Sequence, residues 1–176
     1  MSRLEAGLER LRLWDSALCV RCNGAVRIAL LRQIFRVVSR LGDGVFWYSL
    51  MLALLATSGW AALGPVGRMA GTGAVCTLVY KWLKSKTSRP RPFAVENAVR
   101  AGADPLDRFS FPSGHTLHAV AFSIVAIAFY PMLAWLLVPF TLLVAGSRLV
   151  LGLHYPSDVL AGAALGALIA QACLAL

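Results

Sequence analysis

From Val45 to Leu176 the chain is apolar except at short clusters of Gly, Pro and charged residues, and this limits its architecture more than any other feature. A helix needs about 20 apolar residues to cross hydrocarbon, where the backbone polar groups must be paired within the spanning structure. The alternating runs of about ten residues that would signal a membrane barrel are missing from the sequence. The expected fold is therefore all-α: a polytopic membrane helix bundle with about five transmembrane helices behind an N-terminal amphipathic interfacial helix.

Punctuation sets the segments. Leu41-Gly-Asp-Gly44 precedes a run from Val45 to Ser58, in which Trp47 and Tyr48 are expected as interface anchors. Gly64-Pro65 is expected to turn the chain back into a second run, Val66 to Leu83, where Gly71, Gly73 and Ala74 permit close helix packing. Residues 85–111, with Pro90, Pro92 and Pro105, read as a long exposed loop. A third segment runs from Ser113 to Tyr130 and stops at Pro131; a fourth runs from Met132 to Leu149 with Pro139 as a kink. The fifth, Pro156 to Leu176, carries a second small-residue surface in Gly162, Ala163, Ala164, Gly166 and Ala167. No linker or composition shift divides the chain, so residues 1–176 are expected to form one domain, with 1–40 as the interfacial segment and 45–176 as the core.

The first forty residues hold Arg3, Arg10, Arg12, Arg21, Arg27, Arg32, Arg36 and Arg40 among Leu, Ile, Val and Phe. Arg32, Arg36 and Arg40 share a helical face, partly opposite Ile28, Leu31, Ile34, Phe35 and Val38, as in a helix lying in the membrane interface or packed on a partner. Charges spread through the segment, with no uninterrupted apolar core, are unlike a cleavable signal peptide. Cys19-Val-Arg-Cys22 has no second pair and no neighbouring His, so it reads as two unpaired thiols; Cys76 and Cys173 read as packing residues. The net charge of +9 borders membrane segments without any nucleic-acid-reading motif, so the expected partners are the bilayer and an anionic lipid, with no nucleic acid. Nothing in the sequence sets the oligomeric state.

Three clusters hold most of the chemistry: KSKTSRPRP (84–92), PSGH (112–115) and SRLVLGLHYPSD (147–158). Alternating spans place all three on one membrane face. Transfer of a phosphoryl group spreads charge over three oxygens and calls for fixed cations and amide donors. Arg91 and Arg148 can each make bidentate contacts, and Lys84 acts as a point charge. The turn at Pro112 to His115 opens a helix whose N–H groups suit an anion; Gly114 allows close approach and Ser113 can cap the helix or bond a phosphate oxygen. His154 and Asp158 are four apart, so Asp158 can accept from one imidazole nitrogen and leave the other as an in-line nucleophile. His115 would protonate the leaving oxygen and later take a proton from water. The acids Glu5, Glu9, Asp15, Asp43, Glu96, Asp104, Asp107 and Asp158 form no metal-ligand pattern, so neither metal nor other cofactor is expected.

Each part also has a simpler reading. Lys84 and Arg148 can complement helix dipoles or snorkel, Ser113 can merely cap, and Asp158 suits a first helical turn. His118 reads as a packing or pathway-lining residue, and Phe93, Phe109 and Phe111 either line an entrance or pack the loop. The simpler readings would all have to coincide on one face.

Lys84-x6-Arg91-Pro92, Pro112-Ser113-Gly114-His115 and Ser147-Arg148-x5-His154-x3-Asp158 resemble the three-part signature of the type 2 phosphatidic acid phosphatase superfamily, with every position filled from Lys84 to Asp158. The resemblance is to its membrane lipid phosphatase branch, which acts on phosphatidylglycerophosphate or undecaprenyl diphosphate. It implies substrate binding by Lys84, Arg91, Ser113, Gly114 and Arg148, and catalysis by His115 as acid, His154 as nucleophile and Asp158 as its orienter. It also implies metal-independent hydrolysis of a lipid phosphate: phosphatidylglycerophosphate, phosphatidic acid or a polyprenyl mono- or diphosphate. The alternative is phosphotransfer to a lipid or sugar hydroxyl. Many members have six spans, and here the arginine-bearing helix stands where the first would be. The expected location is multi-pass in a bacterial inner membrane. The positive-inside tendency favours a cytoplasmic site and the habit of bacterial relatives a periplasmic one.

Overall fold

The computed structural model describes residues 3–105 and 107–176, and among them every regular element is helical. The helices are α1 (Arg3–Asn23), α2 (Ala29–Arg40), α3 (Phe46–Ser58), α4 (Leu63–Thr87), α5 (Pro92–Val95), α6 (Gly114–Phe129), α7 (Ala134–Val150) and α8 (Pro156–Leu174). By length and composition, three stretches are able to cross a membrane: Ala29–Val95, Pro131–Val150 and Pro156–Leu174. The first contains the junctions between α2, α3 and α4. α6 is apolar but only 16 residues long, and it is packed by α4, α7 and α8.

α6 is the hub because its residues are small or apolar all round. Leu117, Ala119, Ala121, Val125 and Ala126 are buried. Its closest neighbour is α8: a Cβ at Gly162 would lie 2.6 Å from the Ser113 carbonyl oxygen, and one at Gly166 2.3 Å from that of Leu117. On the other side an aromatic cluster holds α3 to α6 and α7. Phe46 stacks on Phe140 at 3.9 Å between centroids, and Trp47 lies 5.2 Å from Phe122. Leu52, Leu78, Trp82, Trp135, Leu142, Leu160 and Leu168 face outward. An apolar exterior around a packed interior is what a bilayer solvates.

The structure corrects several expectations. Trp47 is 1% exposed and serves the core rather than the interface, whereas Tyr48 does face outward. The chain reverses at Gly59, whose φ of 54° is open to glycine; Gly64-Pro65 instead opens α4, where the proline's missing N–H is harmless. Residues 3–40 form two helices broken at Gly24–Arg27, and α1 is docked on the rest of the protein. Its Asp15, Cys19 and Asn23, spaced one turn apart, are all buried against the loops that carry the signature motifs. The 85–111 stretch is held down as well. α4 runs on to Thr87, Asn23 bonds both the N–H and the carbonyl of Arg100, and Arg36 donates to the Gly102 carbonyl. Phe93 packs against the clusters around Val26, Leu151, Val99 and Tyr155.

Candidate active site

The last turn of α4, the 88–113 loop, the start of α6, the end of α7 and the 151–155 turn meet around one cavity of about 710 Å³. Lys84, Arg91, Gly114, His115, Arg148 and His154 line it, so the structure brings six of the eight expected site residues onto one surface. Ser113 and Asp158, both fully buried, lie just behind it. Beyond the charged end the cavity continues between α3 and α4 along Trp47, Tyr48, Met51, Gly73 and Phe122. A charged head and an apolar groove thus share one space.

The cations are immobilised by their position. Arg91 is 3% exposed; its Nη1 donates to the Leu153 carbonyl at 2.7 Å and stands 3.3 Å from His154 Nε2. Arg148 is 2% exposed, donates Nη1 to Ser39 Oγ of α2, and has no partner for Nε among the described residues. Lys84 and Arg91 both bond Asp107, whose carboxylate accepts from Lys84 Nζ at 2.6 Å and from Arg91 Nη2 at 2.9 Å. Burial alone would push the Asp107 carboxyl up, but the bonds and charges of Lys84 and Arg91 outweigh it and hold the group below the usual carboxylate range.

His154 is buried in the turn before α8. Burial, reinforced by the charges of Arg148, Arg91 and Lys84, holds its imidazole well below the ordinary histidine range, so the ring is neutral and keeps a lone pair. Its Nδ1 lies 3.8 Å from Asp158 Oδ2, beyond hydrogen-bond reach, and has no partner among the described residues. Asp158 is otherwise engaged: Oδ2 accepts from the Tyr155 N–H at 2.8 Å and Oδ1 from Arg89 Nη1 at 2.6 Å. Arg89 also donates to Asp15 at 2.8 Å, and Asp15 accepts from the Ser157 N–H at 2.9 Å, so α1 braces the turn that carries His154. Cys19, fully buried, lies under the His154 carbonyl, and burial pushes its thiol up to about 12.

Across the cavity, His115 Nε2 pairs with Asp43 Oδ1 in the junction between α2 and α3. The Ser113 hydroxyl shares a hydrogen bond with Thr116 at 3.0 Å, and the Ser113 N–H donates to the Asp158 carbonyl at 3.1 Å, tying α6 to α8. His118 lines the cavity with both ring nitrogens engaged, by the Gly114 carbonyl and by Thr77 Oγ1. Five contributing residues escaped sequence reasoning: Ser39, Asp43, Arg89, Asp107 and Asp15. Arg89 stands inside the first motif, and Asp43 between two glycines; those were the signals available.

Fold and cavity together define a helical membrane protein with a cationic, histidine-lined pocket at the head of an apolar groove. The chain belongs to the PAP2 superfamily, whose family model matches residues 61–176. It is 39% identical over 95 residues to the undecaprenyl-diphosphatase BcrC of Bacillus subtilis, a match covering 52% of this chain and 47% of that one, so about half of that relative's length. It is 33% identical over 135 residues to the decaprenylphosphoryl-5-phosphoribose phosphatase of Mycobacterium tuberculosis, covering 75% and 72%. Among solved structures it is similar to LpxE of Aquifex aeolicus, with a TM-score of 0.81, 26% identity and coverage of 92% and 95%. It also shares the fold of a transmembrane PAP2-type phosphatidylglycerolphosphate phosphatase from Bacillus subtilis, with a TM-score of 0.75, 24% identity and coverage of 94% and 85%.

Proposed function

We propose that the protein is an integral membrane lipid phosphatase that hydrolyses a phosphate monoester or diphosphate through a phosphohistidine intermediate. The observation that carries this is the meeting of Lys84, Arg91, Arg148, His115 and His154, from three distant motifs, at the head of one apolar groove. The names of the two bacterial relatives favour a polyprenyl carrier as the lipid. In this reading residues 1–176 are a single domain in a bacterial inner membrane, and the lipid tail reaches the site sideways between α3 and α4.

The phosphate group lies against Lys84, Arg91, Arg148 and the Gly114 N–H, sharing or displacing the Asp107 carboxylate; Ser113 sets that N–H from behind. His154 Nε2 attacks phosphorus as the bond to the leaving oxygen breaks, and His115 gives that oxygen a proton. Asp158 closes its 3.8 Å gap to Nδ1 as the ring becomes positive. Water then attacks phosphorus, His115 recovers a proton from it, and the N–P bond breaks to release inorganic phosphate. Fixed cations stabilise the charge on the equatorial oxygens throughout.

The test uses purified detergent-solubilised protein with phosphatidic acid, phosphatidylglycerophosphate, and undecaprenyl mono- and diphosphate, a chelator present throughout and His154→Ala as the blank. The expected result is release of inorganic phosphate from at least one lipid at a rate about 10³-fold or more above the blank. A blank as active as the wild type, or activity abolished by the chelator, would overturn the reading. Transfer of labelled phosphate to an added alcohol in place of water would instead identify a phosphotransferase.

A further inference from the structure

The sequence motifs supply the proton-donating histidine, but not what keeps a proton on it. His115 shares its cavity with Lys81 and Lys84 of α4, Arg91 of the 88–113 loop and Arg148 of α7, with neutral His154 opposite and His118 one turn along its own helix; on its other side it faces Arg36 and Arg40 of α2 and Asp104. The cations around a largely buried imidazole oppose its positive form. A general acid there needs a counter-charge.

We propose that Asp43 is that counter-charge: it accepts the Nε2–H of His115, fixes the ring so that Nδ1 serves the leaving oxygen, and favours the protonated form from which the oxygen takes its proton. The inference rests on the phosphatase reading above, and Asp43 lies outside the residues 61–176 that define the family.

Three observations carry it. Asp43 Oδ1 bonds His115 Nε2, and the two side chains are 19% and 10% exposed. The backbone is shaped for this approach. Gly44 has φ 129°, and a Cβ there would lie 2.9 Å from the Tyr48 ring; a Cβ at Gly42 would lie 3.3 Å from Val144 and 3.6 Å from the His115 ring. Among the described residues, the carboxylates on the cavities that His115 lines are Asp43, Asp104 and Asp107; Asp43 is the one bonded to His115, and Asp107 is taken up by Lys84 and Arg91. Arg40, 3.7 Å away with an exposed side chain, leaves the carboxylate available to His115. When the P–O bond breaks, the Nδ1 proton passes to the leaving oxygen while Nε2–H stays on Asp43; the attacking water later returns a proton to Nδ1.

The experiment compares dodecyl phosphate, whose alkoxide leaving group needs a proton, with the phosphate ester of a nitrophenol carrying the same chain, which does not. Asp43→Asn should lower kcat on the alkyl ester by about 10- to 100-fold and on the nitrophenyl ester by less than about threefold, with KM nearly unchanged. It should also move the alkaline limb of the alkyl-ester kcat profile to lower pH, because losing the carboxylate makes the imidazolium easier to deprotonate. In a His115→Ala background it should cost nothing further. Asp43→Glu, which keeps the charge, should recover part of the rate if the Asn variant folds poorly. Equal losses on both esters, additivity with His115→Ala, or an unmoved alkaline limb would overturn the proposal and leave Asp43 a structural tie. A wild type inactive on both esters would instead overturn the phosphatase reading itself.

Discussion

Replacing Gly166 with alanine should test how far the active site depends on the seam between α6 and α8. The new Cβ would lie 2.3 Å from the Leu117 carbonyl oxygen and 3.1 Å from its carbonyl carbon, both backbone atoms within α6. Ordinary contact begins near 3.4 Å, so α8 would have to retreat by roughly 1 Å, with no flexible side chain to absorb the change. Overpacking of this kind costs about 1–3 kcal/mol, which for a chain of this size lowers the melting temperature by about 2–12 °C. The catalytic effect should be larger. α8 begins just after His154 and α6 begins at Gly114 beside His115, so the retreat separates the proposed nucleophile from the proposed acid, and a misplacement of about 1 Å can cost about 100-fold in rate. Gly71→Ala in α4 is the control: nothing lies within 4 Å of its Cβ, and alanine favours a helix interior over glycine by about 0.5–1 kcal/mol. Melting of the detergent-solubilised protein and kcat on the best lipid phosphate are the two readouts. A Gly166→Ala protein with wild-type melting and kcat would refute the claim that this seam sets the site.

Asp107→Asn removes the charge that occupies Lys84 and Arg91, so inhibition by inorganic phosphate should tighten by roughly 3- to 10-fold; an unchanged or weaker inhibition constant would show that Asp107 organises the cradle rather than competing for it. Because His154 is held neutral well below the ordinary histidine range and must be neutral to attack, the acid limb of kcat/KM should fall below pH 6.5; a limb at or above that value, unaltered by Arg148→Lys, would contradict the electrostatic reading of the site.

The site was legible where a residue acts through its own chemistry and its place at a helix end. Lys84, Arg91, His115, Arg148 and His154 sit where an apolar run stops or starts, and in an antiparallel bundle those ends share a face. The missed residues act through pairing. Asp107 reaches Lys84 and Arg91 only because of the path of the 88–113 loop, and Asp15 reaches Ser157 only because α1 docks, so neither pairing has a spacing to read. The same limit explains Trp47 and Tyr48: which of two neighbouring aromatics faces lipid depends on where Phe140 and Phe122 lie. Gly64-Pro65 reads as a turn in the sequence, but Pro65 falls in the first turn of α4, where a proline is tolerated, and the reversal comes at Gly59 instead.

The arginine-bearing start has more to do than anchor the chain. Ser39 takes the Arg148 guanidinium, Asp43 meets His115, Asp15 binds Arg89 and through it Asp158, and Cys19 fills the space beneath the His154 backbone. Every motif that bears the proposed chemistry is therefore met, within one or two contacts, by a residue preceding the family-matched stretch. Apart from the Asp43–His115 pair these contacts are buried or part-buried, where loss of one partner leaves the other uncompensated. If the N-terminal helices served only to hold the membrane surface, their polar residues would face water or headgroups. Instead Asp15, Asn23 and Ser39 are 1%, 3% and 6% exposed, turned toward the catalytic loops.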